Sequence, residues 1–62
     1  AQTGGALPAF QKGDMVRHKA FGQGMILSVQ KMGGDALVEI AFDNVGTKRL
    51  MLKSAAAHME KI

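Results

Sequence analysis

The feature that most constrains the fold of this chain is a series of glycine-containing turns that separate short stretches of alternating apolar and polar residues. A repeat of two places successive side chains on opposite faces of a β-strand, whereas an amphipathic helix repeats after about 3.6 residues. Glycine accepts the positive φ that tight turns often require. The pattern therefore predicts antiparallel strands joined by short turns.

The turns divide the chain into five strands and one helical turn. A first strand follows Gly13–Asp14 and ends near His18, and Gly22 and Gly24 bracket the next bend, where positive φ carries no Cβ penalty for a glycine. The other predicted elements are strands over 25–31, 36–42 and 47–52, a helical turn over 53–57 and a closing strand over 58–62. This order predicts an all-β fold, a small five-stranded SH3-like or Tudor-like barrel with one short helical turn before the last strand.

Alternation also predicts which side chains share a face. In the second strand it groups Met25, Leu27 and Val29 on one face, opposite Ile26. Phe42 ends the alternating run of the third strand and is expected in the core. Half-buried packing in strands is expected for most of the methionines, namely Met15, Met25, Met51 and Met59, and only Met32 is expected at the surface.

Basic residues cluster near two of the predicted turns. Alternation puts Lys48 on the apolar face with Leu50 and Leu52, which a lysine tolerates at a strand end where its ammonium reaches water. If the barrel closes as described, Lys48 and Arg49 form one basic rim with the other hairpin. The other hairpin contributes Arg17, His18 and Lys19. The alternative, which the residues alone favour, is two separate solvated turns that carry ordinary surface charges.

The residue types argue against an enzyme or a metal site. There is no cysteine, the two histidines lie far apart in sequence, and no spacing marks a carboxylate pair. Residues 22–24 lack the further glycine and following helix of a phosphate-binding loop. All three aromatic residues are phenylalanines, which disfavours the aromatic cage used to bind methyl-lysine. We therefore expect no catalytic residue, no metal and no cofactor.

Length and composition suggest a single small domain. Residues 1–9 are small and uncharged, and we interpret them as a flexible linker or a tail added for expression, with the barrel domain over residues 10–62. No apolar run approaches the roughly 20 residues of a membrane span. We expect a monomeric domain without membrane contact.

The order of several short motifs resembles one known family. The chain is similar to the C-terminal Tudor-like domain of bacterial UvrD/PcrA-type DNA helicases over about residues 10–62. The matching positions are Lys12–Gly13–Asp14, Val16, His18, Phe21–Gly22, Gly24, Ala41–Phe42 and Gly46–Leu50.

The resemblance implies a tethered adaptor that docks the helicase motor onto the β subunit of RNA polymerase, in the cytoplasm and associated with the nucleoid. In that family a lysine of the Gly-x-Lys-Arg-Leu element contacts the polymerase, and it corresponds to Lys48. Arg49 is its neighbour, and His18, Lys19 and Phe21 are expected as flanking contacts. The net charge of +3 leaves an alternative open, in which the same basic rim binds the phosphates of duplex DNA.

Overall fold

Five strands and one helix form in the predicted order in the computed structural model, which describes residues 10–62. The predicted linker over residues 1–9 lies outside the described residues. The elements are β1 (Met15–His18), β2 (Gly22–Met32), β3 (Asp35–Phe42), β4 (Gly46–Met51), α1 (Leu52–Ala56) and β5 (Met59–Lys61).

The five strands form one antiparallel sheet in the order β4-β3-β2-β1-β5. Strands β4 and β5 are the two edges, and α1 joins them in sequence and packs against β3, β4 and β5. The predicted all-β fold with one short helix before the last strand is confirmed. Among the described residues, no helix is long and apolar enough to cross a membrane.

The inward face of the sheet carries the core. Its largest fully buried side chains are Val16, Ile26, Val38, Ile40 and Leu52. Phe42 is also buried, as predicted. Along β3 each buried, inward residue alternates with a less buried, outward one over the whole strand.

The two glycines of the first bend differ in their roles. Gly22 has φ +84°, as expected for a turn glycine, but Gly24 does not have positive φ. A Cβ atom on Gly24 would lie 2.8 Å from both the Ala41 carbonyl oxygen and Phe42 Cδ1. Gly24 therefore lies within β2 and not at the bend, and glycine is required there because β3 approaches so closely.

A β-bulge in β2 overturns the predicted grouping of its side chains. Ile26 pairs with Ile40 and Ser28 pairs with Glu39, so Leu27 is an extra residue on β2. An extra residue reverses the phase of the alternation beyond it. Ile26 before the bulge and Val29 after it therefore both face the core although they are three residues apart, while Met25 faces outward.

The methionines were predicted correctly at only two positions. Met59 is buried and Met32 is exposed. Met15, Met25 and Met51 are 36%, 41% and 38% exposed, so half-buried packing does not describe them. Met15 and Met25 are direct cross-strand partners on the outward face, because their neighbours Val16 and Ile26 take the inward positions.

The helix is fixed to the β2–β3 hairpin by one carboxylate. Asp35 Oδ1 accepts the backbone N–H of Lys53 at 2.9 Å and that of Ala36 at 2.7 Å. The Lys53 N–H belongs to the first turn of α1, where backbone donors have no partner within the helix. These two hydrogen bonds lower the pKa of Asp35 below its ordinary value, and the bond from Lys53 has the larger effect.

Candidate functional site

Lys48 is the third residue of the edge strand β4 and lies on its inward, apolar side, as alternation predicts. Its cross-strand partner is Ile40, and its side chain is half-buried. The ammonium nitrogen lies 5.3 Å from the centroid of the Phe21 ring, within the range of a cation–π interaction. Two residues far apart in the sequence, both predicted to belong to the site, are therefore in contact.

Phe21 belongs to a cluster of three rings that we name the Phe21 platform, formed by His18, Phe21 and Phe42. The Phe21 ring stacks on His18 with centroids 4.6 Å apart and an interplanar angle of 24°. Phe42 lies 5.3 Å from Phe21 and 6.0 Å from His18. Because Phe42 is part of the core, the platform is anchored to the sheet, and it supports the Lys48 ammonium.

His18 is the one buried polar side chain among residues 10–62, with 8% of its surface exposed. It ends β1 on the same inward face as Val16. Its Nδ1 atom accepts the backbone N–H of Ala20 at 3.0 Å and makes a longer contact, 3.4 Å, with that of Phe21. The imidazole therefore ties the β1–β2 turn to the end of β1.

A cleft of about 570 Å³ opens beside His18, between the β1–β2 turn and the segment that joins α1 to β5. The Lys19 N–H donates to the His58 carbonyl oxygen at 2.8 Å and joins these two segments. The two imidazoles lie 6.2 Å apart, although their sequence separation gave no sign of this proximity. The polar side chains that line the cleft are Arg17, His18, Lys19, Gln23, His58 and Glu60.

Burial lowers the pKa of His18, and repulsion from His58 lowers it further. The imidazole is therefore held neutral near pH 7. A neutral ring whose Nδ1 accepts N–H bonds carries its proton on Nε2. Within residues 10–62 no group of three or more metal-ligating side chains is close enough to hold a metal ion.

Arg49 does not lie beside Lys48 on the platform. It faces the opposite side of β4, where its cross-strand partner is Glu39, and it lines a separate small cleft with Ser28 and Gln30. The expectation of one continuous basic rim is wrong at this position, because neighbouring residues of a strand point to opposite faces. Lys19 remains on the His18 side, at the cleft.

Two residues of the site, Phe42 and His58, were not predicted from the sequence. Phe42 was assigned only to the core, and His58 was assigned no role. The cross-strand pairs explain why these residues lie near His18 and Phe21. Phe42 pairs with Gly24, and His18 pairs with Met59, the residue after His58. These registers could not be deduced from local alternation alone.

Comparison with known families matches residues 13–58 to the PcrA/UvrD tudor domain. The ATP-dependent DNA helicase PcrA of Leuconostoc citreum is 35% identical over 60 residues, which cover 97% of this chain and 8% of that protein. The ATP-dependent DNA helicase PcrA of Staphylococcus epidermidis is 42% identical over 43 residues, covering 69% of this chain and 6% of that protein.

The chain thus spans less than a tenth of the length of these helicases. The family match covers β1 to β4, α1 and the segment before β5, and so includes Lys48, Phe21 and His18. The matched residues include most of the motifs on which the resemblance in sequence rests. This chain belongs to the PcrA/UvrD tudor domain family and corresponds to an accessory domain of such helicases.

Proposed function

We propose that this domain docks a PcrA/UvrD-type DNA helicase onto the β subunit of RNA polymerase, with Lys48 as the principal contact. Phe21 and Lys19 flank it, and the domain itself contributes binding rather than catalysis. The observation that carries the proposal is the Lys48 ammonium held over the Phe21 ring, 5.3 Å from its centroid, in a member of this family.

The geometry favours Lys48 as a contact for physical reasons. A free lysine side chain loses considerable rotamer entropy when a partner immobilises it. Packing against Phe21 already restricts Lys48 before binding. Within residues 10–62 the ammonium has no ion pair, so its N–H donors are available to an acceptor on the partner.

A tethered adaptor fits the small share of each helicase that the domain represents, 6 to 8%. A compact module on a long protein raises the local concentration of the motor near its partner without any new chemistry. We place this activity in the cytoplasm, at the nucleoid.

The experiment compares two neighbouring cations on one strand. Lys48→Ala and Arg49→Ala are made in this chain, and binding to purified RNA polymerase is measured by biolayer interferometry. We expect Lys48→Ala to weaken binding by about tenfold or more, as for a central interface residue. Arg49→Ala, on the opposite face, should stay within about threefold of the parent. Lys31→Ala, at the far end of β2, should have no effect.

Circular dichroism and thermal melting of each variant establish that the fold is retained, since a rim lysine contributes little to stability. Equal polymerase binding by the parent and a folded Lys48→Ala variant would place the contact elsewhere. The alternative outcome is that the domain binds duplex DNA in place of the polymerase. If DNA is the ligand, log Kd varies steeply with log salt, by roughly 0.9 for each phosphate contacted, and each lost cation reduces that slope.

A further inference from the structure

We propose that His18 is a positioning residue: its Nδ1 atom fixes the β1–β2 turn, its ring supports Phe21, and together these place the Lys48 ammonium. The binding consequence rests on the proposed function, whereas the structural role of His18 does not. His18 thereby acts through Lys48 and Phe21 instead of touching the partner itself.

The first link is the hydrogen bonding of the turn. Nδ1 accepts from Ala20 at 3.0 Å and contacts the Phe21 N–H at 3.4 Å. Both donors belong to the segment between β1 and β2. A residue without an acceptor at this point would leave the Ala20 N–H without its partner at a part-buried site, which disfavours the present turn.

The second link is ring packing. His18 and Phe21 are nearly parallel at 4.6 Å, and His18 is 8% exposed. Phe21 also contacts Phe42, with the ring centroids 5.3 Å apart. Phe21 therefore packs against both a buried imidazole and a core phenylalanine, and it carries the Lys48 ammonium 5.3 Å from its centroid. A shift of the imidazole changes where that ammonium lies.

The charges around His18 keep Nδ1 available as an acceptor. His58 faces it from the segment before β5, Lys48 lies beyond Phe21 on β4, and the cleft adds Arg17, Lys19 and the single carboxylate of Glu60. A proton on Nδ1 would oppose the N–H donors as well as these cations. The surroundings therefore favour the neutral ring with its proton on Nε2.

Two substitutions separate the acceptor from the ring. His18→Asn retains an oxygen near the position of Nδ1 but removes the ring, and His18→Phe retains a ring but removes the acceptor. His58→Ala is the matched control, because His58 is the other imidazole of the cleft and its side chain makes no hydrogen bond to the turn. Amide hydrogen exchange and the ring-current shift of the Lys48 side-chain protons are measured by NMR, alongside polymerase binding.

We expect His18→Phe to accelerate exchange at Ala20 by about tenfold, the effect of one lost hydrogen bond, to reduce the Lys48 ring-current shift, and to weaken polymerase binding severalfold. His18→Asn should keep Ala20 exchange within about threefold of the parent. His58→Ala should change none of these quantities. In the parent chain, imidazole nitrogen shifts at pH 7.5 should show an unprotonated Nδ1, a measurement that does not depend on any variant folding.

A protonated Nδ1 in the parent, or unchanged Ala20 exchange and Lys48 shift in His18→Phe, overturns the proposal. Altered NMR parameters with undiminished polymerase binding in His18→Phe overturn its functional part. If the NMR changes occur while even the parent chain fails to bind polymerase, the positioning role is supported and only the proposed function is refuted.

Discussion

Gly24→Ala is the substitution whose effect follows most directly from the structure. Position 24 lies in β2 opposite Phe42, and it is a buried site. An added Cβ would lie 2.8 Å from the Ala41 carbonyl oxygen, 2.8 Å from Phe42 Cδ1 and 2.9 Å from Ile40 Cγ2. The first of these atoms is backbone, so a rotamer change cannot relieve all three contacts.

The magnitude follows from two opposing contributions. Overpacking of a well-filled core costs about 1–3 kcal/mol. Replacing glycine by alanine also restricts the unfolded chain, which offsets roughly 0.4–1 kcal/mol. The free energy of unfolding should therefore fall by about 1–2 kcal/mol. A domain of this size shifts its Tm by about 4–8 °C per kcal/mol, so we expect a decrease of roughly 5–15 °C.

Gly34→Ala, in the turn that joins β2 to β3, is the control substitution. Position 34 does not have positive φ, and its added Cβ would meet only Lys53 Nζ, at 3.7 Å. Without strain, the restriction of the unfolded chain should dominate and raise stability by roughly 0.4–1 kcal/mol. Thermal and urea unfolding followed by circular dichroism measure both variants. A Gly24→Ala variant as stable as the parent, or less destabilised than Gly34→Ala, would refute the close-approach argument.

Three further predictions concern the core and the two perturbed titratable groups. Phe42→Ala should cost about 3–5 kcal/mol, a large part of the roughly 3–9 kcal/mol expected for this length, and a native melting curve would contradict it. Because the pKa of Asp35 is lower in the folded state, the ionised carboxylate stabilises the fold above its unfolded pKa, and this stabilisation is lost as the pH falls through the folded pKa. Asp35→Asn should therefore reduce the dependence on pH, below about pH 4, of the free energy of unfolding measured in urea. The pKa of His18 is also lowered, so stability should decrease as the pH falls below about 6.5, and His18→Asn should remove that decrease.

The fold could be predicted from sequence because its turns and strands are locally encoded. The glycine turns and the alternation of β3 depend on neighbouring residues alone, and both were predicted correctly except at Gly24, which lies within β2. The bulge at Leu27 was missed because an extra residue in β2 becomes visible only against its pairing with β3. Because of that one insertion, Met25 and Val29 lie on opposite faces, although strict alternation groups them on the same face.

The site was predictable only in part for the same reason. Alternation placed Lys48 correctly on the inward side of β4, and the same rule places Arg49 on the other side. The contacts of Lys48 with Phe21, and of His18 with the turn, join segments whose relative position depends on the whole sheet. Local patterns can identify such residues as candidates but do not predict which of them meet.

Gly24 connects the stability of the sheet with the geometry of the site. The absence of a side chain at position 24 leaves room for the Phe42 ring, and Phe42 in turn contacts both Phe21 and His18. An alanine that displaces Phe42 should therefore disturb the Phe21 platform even in molecules that remain folded. Measured at a temperature where Gly24→Ala is almost entirely native, its Lys48 ring-current shift should differ from the parent's, and that of Gly34→Ala should not. An unchanged shift in Gly24→Ala would mean that Phe42 supports the core without setting the position of Phe21.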